Sequence, residues 1–298
     1  NGGSERYTTT RDLTAAATDP RTCGLCGAME KLSRAHVPPQ SAGNDHTVQR
    51  APDRLVDGER GPGRWTNGGL WVRGLCPKCN SRCGGVYDKA YADFQRQIKR
   101  ATTATARQLA VIPGEAPNVR FAPGAVARCV LYGMFAINPG LRVRYPALAQ
   151  QLAEEDYYRG DKIEWPSGLG LKLGLSDPRR PHSALIAGNV WTFHAERPRL
   201  SHVSLADIVW PPLSWSMVWN DHAVRDATGT RQITEGLADV SDWLHFGPHR
   251  TSVDLRNLGL TLQPWTHPLL SASDAWVELY SGEESQHPSV TVFGHIPQ

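Results

Sequence analysis

The sequence predicts an α+β protein in two parts, a small metal-stapled module followed by a larger domain of mixed helices and strands. Three observations lead there. Two Cys-x-x-Cys pairs, Cys23/Cys26 and Cys76/Cys79, fall in the first third of a 298-residue chain. Arg21 to about Tyr91 is rich in Gly, Pro and Arg with few apolar runs, the composition of a unit whose thin core is supplemented by metal binding energy. Beyond residue 125, apolar helical stretches give way to strand-like pieces, which reads as α+β.

Taken in order, residues 1–20 form a lead-in with no clear period, residues 21–110 the metal-stapled module, and residues 111–298 the larger domain. Asp45 to Gly69 reads as a loop-like insertion, with Asp57-Gly58 and Asn67-Gly68-Gly69 as turn signals. Leu70-Trp71-Val72 reads as a short strand entering the second cysteine pair. Asp88 to Leu109 has good helix formers and the basic residues Lys89, Arg96, Lys99, Arg100 and Arg107. A linker-like stretch to Gly124 precedes an apolar helix, Ala125 to Ile137, closed by Asn138-Pro139-Gly140. A further helix is expected over Pro146 to Tyr158. Strands are expected over Ala184 to Ala195, Ile208 to Val218, Trp243 to Phe246 and Ala275 to Tyr280. Eight of the ten tryptophans follow residue 160, most of them as core residues of such strands.

Close cysteine pairs favour metal over disulfides, and four thiolates in two knuckles can close a tetrahedral zinc site at Cys23, Cys26, Cys76 and Cys79. Cys83, four residues after Cys79, could replace a ligand, whereas Cys129 lies in an apolar stretch and reads as a core thiol. The net charge of +3 hides an asymmetry. Residues 1–110 carry 17 Lys and Arg against 10 Asp and Glu, net +7, and residues 111–298 carry 15 against 19, net −4. That distribution places polyanion binding in the N-terminal part. No apolar run of about 18 residues is present, so no membrane-spanning helix is expected. Asn1 to Arg11 are polar and lack a hydrophobic signal segment, so the expected compartment is the cytoplasm.

The first cysteine pair, then His36 followed by Val37-Pro38-Pro39, then Leu75-Cys76-Pro77-Lys78-Cys79-Asn80, resembles the zinc-containing branch of the HNH endonuclease family. The resemblance covers about residues 21–95 and implies a ββα-metal fold, two strands and a helix around one divalent ion. It implies that His36 is the general base, that Asn80 opens the helix and ligates Mg²⁺ or Mn²⁺, and that the zinc is structural. Arg34, Arg73, Lys78 and Arg82 are the cations that would contact phosphates. Family members commonly carry an acid or histidine immediately before the base, where this chain has Ala35, and the usual middle asparagine position is held by Trp71. Asn67 or Asn44 would then orient the His36 ring, and Asp45 or His46 would supply a ligand from the insertion.

The expectation is a metal-dependent DNA endonuclease of the bacterial restriction or antiphage kind. Its C-terminal domain would recognise a modified base, a small-molecule activator or a protein partner, and a homodimer would suit double-strand cleavage. Two alternatives stay open: a catalytically degenerate, zinc-stabilised nucleic-acid-binding protein, and an RNase, because metal-ion chemistry needs no 2′-hydroxyl.

Overall fold

The computed structural model describes residues 21–45, 48–50, 55–56, 59–60, 64–107, 119–175, 184–194, 199–219, 237–249, 251–253 and 291–293. The chain enters with the first cysteine knuckle, closed by an isolated bridge between Thr22 and Met29. Strand β1 (Ser33–His36) follows, and it pairs antiparallel with β6 (Trp71–Leu75), so that His36 faces Trp71 and Ser33 faces Leu75. Between them the insertion is not a plain loop. It contains two nested antiparallel ladders, β2 (Val48–Arg50) with β5 (Arg64–Thr66) and β3 (Leu55–Val56) with β4 (Glu59–Arg60). The two residues joining β3 to β4 are Asp57 and Gly58, a dipeptide that favours the tight turns of two-residue hairpins.

β6 runs directly into helix α1 (Pro77–Val86). Cys76 is its N-cap, with its sulfur accepting from the Cys79 amide, and Pro77 occupies the first turn where its missing N–H costs nothing. Helix α2 (Asp88–Arg107) buries Tyr91, Phe94, Gln95 and Ile98, spaced three or four residues apart on one face, and turns Lys89, Arg96 and Arg100 to solvent. A short strand β7 (Val119–Arg120) leads to α3 (Pro123–Ile137), buried at every position but Gly133. A helix apolar nearly all round belongs in a core, and α3 packs against β6, α1 and α2 and against the large sheet. The approach at β6 is so close that a Cβ on Gly74 would lie 1.9 Å from the Ala136 carbonyl oxygen.

The chain then passes through α4 (Gly140–Arg144) and α5 (Pro146–Glu154) into a sheet built from β8 (Leu169–Leu175), β9 (Ala184–His194), β10 (Arg199–Trp210), β11 (Leu213–Trp219), β12 (Ala238–Asp239) and β14 (Thr291–Phe293). The strand order is β12-β8-β11-β10-β9-β14, antiparallel throughout except for β14, which lies parallel to β9. A last two-residue strand, β13 (Ser252–Val253), pairs with β7. The mixed helix and sheet content is that of an α+β protein. The module boundary at residues 110 and 111 lies outside the described residues; on either side of it, one continuous buried core runs from the cysteine knuckles through α3 into the sheet.

Three further elements differ from the sequence expectation. Ile208 to Val218 is not one strand, because Pro211-Pro212 breaks the run and β10 and β11 fold back as a hairpin, Trp210 opposite Leu213. Trp243 to Phe246 is not a strand. Asp239 Oδ1 accepts from the Ser241 amide at 2.9 Å and starts a 3-10 turn over Ser241–His245, which inserts Trp243 into the core. The helix from Pro146 stops at Glu154, and Asp156 caps a separate 3-10 turn, Tyr157–Arg159. Ala275 to Tyr280 lies outside the described residues. No helix among the described residues is long and apolar enough to cross a membrane.

Candidate functional site

The two cysteine knuckles meet as the spacing requires. Cys23, Cys26, Cys76 and Cys79 have all four sulfurs within 4.8 Å of one another, and none is in a disulfide. Tetrahedral zinc–thiolate bonds of about 2.3 Å put ligand sulfurs about 3.7 Å apart, and Cys26 Sγ and Cys76 Sγ are 3.7 Å apart. Backbone amides turn inward to the sulfurs: Cys76 N donates to Cys23 Sγ at 3.3 Å and Cys79 N to Cys76 Sγ at 3.4 Å. The surroundings shift two of the thiol pKa values in opposite directions. The hydrogen bond from Cys79, working against desolvation, brings Cys23 down to about 4, while burial lifts Cys76 to about 11. Metal binding at such a site displaces the thiol protons, so the binding energy becomes folding energy. The donor set fits a structural metal ion such as zinc, with four protein ligands and no open position.

This clamp ties β6 and the start of α1 to the N-terminal knuckle and so fixes the corner whose cavity both His36 and Asn80 line. His36 ends β1, and its Nε2 lies 2.9 Å from the Gly68 carbonyl oxygen. A carbonyl only accepts, so in this pair Nε2 carries the hydrogen and Nδ1 of the neutral ring carries the lone pair. Asn80, in the first turn of α1, donates from Nδ2 to the Arg34 carbonyl at 2.9 Å. That bond pins helix to strand and leaves Oδ1 as the atom suited to a cation.

The loop carrying Gly68 is itself held by Asn44, which is fully buried. Asn44 Nδ2 donates to the carbonyls of Pro38 at 2.6 Å and Leu70 at 2.7 Å, and its Oδ1 accepts from Leu70 N at 2.6 Å. Gly69, at φ +80°, passes so close that a Cβ there would stand 2.1 Å from the Asn44 carbonyl oxygen. Asn67 is exposed, one residue before the carbonyl that meets His36. Asp45 is exposed too, and His46 lies outside the described residues.

His36 and Asn80 both line a cavity of about 570 Å³ between β1, α1, α2 and α3. Its wall also holds Cys83, Asp88 and Cys129, which no local pattern links: α1, α2 and α3 bring them together. Desolvation raises the Asp88 carboxyl above its usual range. The signal for this cluster was present in part, since Cys83 stands one helical turn after Cys79 and three residues after Asn80, on the side of α1 that carries the site.

The four cations proposed for phosphate are placed differently from one another. Arg34 lines the cavity and stacks over the buried Trp71, its Cζ 4.3 Å from the ring centroid. Arg73 and Lys78 are exposed near the same corner, Arg73 with its Cζ 6.0 Å from the Trp71 centroid. Arg82 is half-buried and donates to the carbonyls of Ala153 and Glu155 at the end of α5. Ala35 is buried and lines the same cavity, with a methyl group that offers no ligand atom. No family model, no curated protein and no solved structure matches this chain.

Proposed function

We propose that this chain is a divalent-metal-dependent endonuclease that hydrolyses phosphodiester bonds in DNA, with His36 as general base. One observation carries the reading: His36 and Asn80 converge on one cavity at a strand–strand–helix corner, β1, β6 and α1, closed by a four-cysteine clamp. That order of elements is the one a ββα-metal nuclease requires, and it supports the resemblance read from the motif.

In this reading His36 Nδ1 takes a proton from the attacking water, and the Gly68 carbonyl then stabilises the imidazolium through a charge-assisted bond from Nε2. Asn80 Oδ1 would hold Mg²⁺ or Mn²⁺, which stabilises the leaving 3′ oxygen when bound. Arg34, its guanidinium placed over the Trp71 ring, orients the phosphate from the cavity side. Arg73 and Lys78 supply charge along the backbone on either side. Recognition of a modified base, an activator or a partner belongs in this reading to the mildly acidic residues 111–298, as in a restriction or antiphage enzyme.

A second reading is favoured by Ala35, which is buried where relatives of this motif place a ligand. The corner would then bind nucleic acid without cutting it. The experiment that separates the two uses labelled duplex DNA, single-stranded DNA and RNA with Mg²⁺, Mn²⁺ or EDTA, scoring binding and cleavage in parallel. Metal-dependent cleavage with 5′-phosphate and 3′-hydroxyl ends on DNA supports the enzyme. Binding without cleavage on every substrate supports the second reading.

A further inference from the structure

Cys83, Asp88 and Cys129 offer one ligand atom each within 4.8 Å of one another, a second metal-competent cluster among the described residues. The geometry points to a second zinc site here, distinct from the four-cysteine clamp, with three protein ligands and its fourth position open to the cavity. The distances carry it. Zinc bonds of about 2.3 Å to sulfur and 2.1 Å to oxygen, at a tetrahedral angle, separate a sulfur from an oxygen by about 3.6 Å. Asp88 Oδ1 lies 3.4 Å from Cys83 Sγ and 3.7 Å from Cys129 Sγ.

The three ligands are also held as a metal site needs. Each comes from a different helix of the packed core, α1, α2 and α3, so their relative positions are set by helix packing and not by a mobile loop. Both thiols are buried, and Asp88 is half-buried at the first position of α2. All three line the cavity, which therefore supplies the fourth side. Three fixed ligands and one open position distinguish a working zinc site from a structural one. Two thiols beside a carboxyl select zinc over Mg²⁺ or Mn²⁺, which prefer oxygen.

Charge decides what the open position takes. Two thiolates and a carboxylate around Zn²⁺ leave a net charge of about −1 by formal count, which disfavours a phosphate oxygen. Water, or a neutral donor group of a bound molecule, is the fitting fourth ligand. His36 lines the same cavity. This second site is independent of whether the chain cuts DNA.

The test is metal stoichiometry on the full purified chain, reconstituted with Zn²⁺, freed of loose ions by gel filtration and measured by elemental analysis. Two zinc ions per chain are expected for the parent, and one for Asp88→Asn and for Cys129→Ser. Asp88→Asn keeps the side-chain shape and guards the test if Cys129→Ser fails to fold, with circular dichroism as the folding control. In Cd²⁺-loaded protein, sulfur-to-metal absorption should fall in Cys129→Ser as one thiolate is lost. His36→Ala should keep both zinc ions. One ion per chain in the parent, unchanged by Asp88→Asn, overturns the proposal. So does a non-reducing mass showing Cys83 and Cys129 joined in a disulfide, or loss of the second ion in His36→Ala, which would close the fourth position.

Discussion

His36 Nε2 and the carbonyl oxygen of Gly68 are 2.9 Å apart, across the mouth of the insertion that separates β1 from β6. The bond joins two residues 32 positions apart, and it commits the ring to the tautomer whose Nδ1 is basic. Replacing His36 by Asn or Gln keeps a donor and removes the base. The expected result is a loss of cleavage of about 10²–10⁴-fold, with little change in thermal melting or in DNA affinity.

Asn44 stands behind that relationship, since it fixes Pro38 after the histidine and Leu70 after the glycines. Asn44→Ala leaves two carbonyls and one amide of the loop without their partner. A cost of about 2–3 kcal/mol is expected in urea unfolding. Asn44→Asp, which loses the donor and keeps the acceptor, should restore little. Gly69→Ala should copy the defect by forcing the same two segments apart.

Arg128 and Glu155 form a buried pair between α3 and the end of α5, with Nε–Oε2 at 2.8 Å. The remaining polar atoms are accounted for: Arg128 also donates to the Gly124, Phe246 and Asp161 carbonyls, and Tyr87 Oη donates to Glu155. Arg128→Met leaves a buried carboxylate without its cation, with only the Tyr87 hydroxyl beside it, and should destabilise by about 3–5 kcal/mol. Adding Glu155→Leu should recover much of that loss, which a double-mutant cycle in denaturant would read directly.

Arg34 and Arg82 should separate cleanly. Arg34→Ala is expected to weaken DNA binding and lower the slope of log affinity against log salt by about 1, with stability unchanged. Arg82 donates to the last carbonyls of α5, so Arg82→Ala is expected to cost about 1–2 kcal/mol of stability and leave the salt slope alone. Salt-titrated anisotropy and chemical unfolding on both variants check the pair.

Removal of the clamp metal by a strong chelator at neutral pH should lower the melting temperature and loosen the β6–α1 corner, because the four cysteines join segments about 50 residues apart. Cys76→Ser should show the same lowered melting temperature without chelator. Hydrogen exchange at Leu75 to Asn80 would localise the effect.

Local chemistry was the legible part of this chain. The cysteine pairs announce themselves by spacing, whereas the helix that the resemblance opens at Asn80 begins three residues earlier at Pro77, capped by Cys76. The apolar run of α3 also reads directly. The strand β8 carries a weaker signal: Leu169, Leu171, Leu173 and Leu175 alternate with Gly and Lys in a period of 2, but the glycines between them lower its strand propensity. What no local pattern carries is the meeting of distant residues. Cys129 looks like one more core thiol until α3 lays it beside Cys83 and Asp88. The Asn44 clamp likewise depends on where a 26-residue separation returns. Arg82 reads as a surface cation until α5 ends against it.

The most direct measurement is nicking of supercoiled plasmid by the parent and by His36→Ala, each with Mn²⁺, with Mg²⁺ and with EDTA. The account predicts nicking by the parent in the presence of a divalent ion, none with EDTA, and almost none by a folded His36→Ala protein that binds the plasmid equally well. Equal nicking by the two proteins, or none by the parent on unmodified, modified and phage DNA, would contradict it.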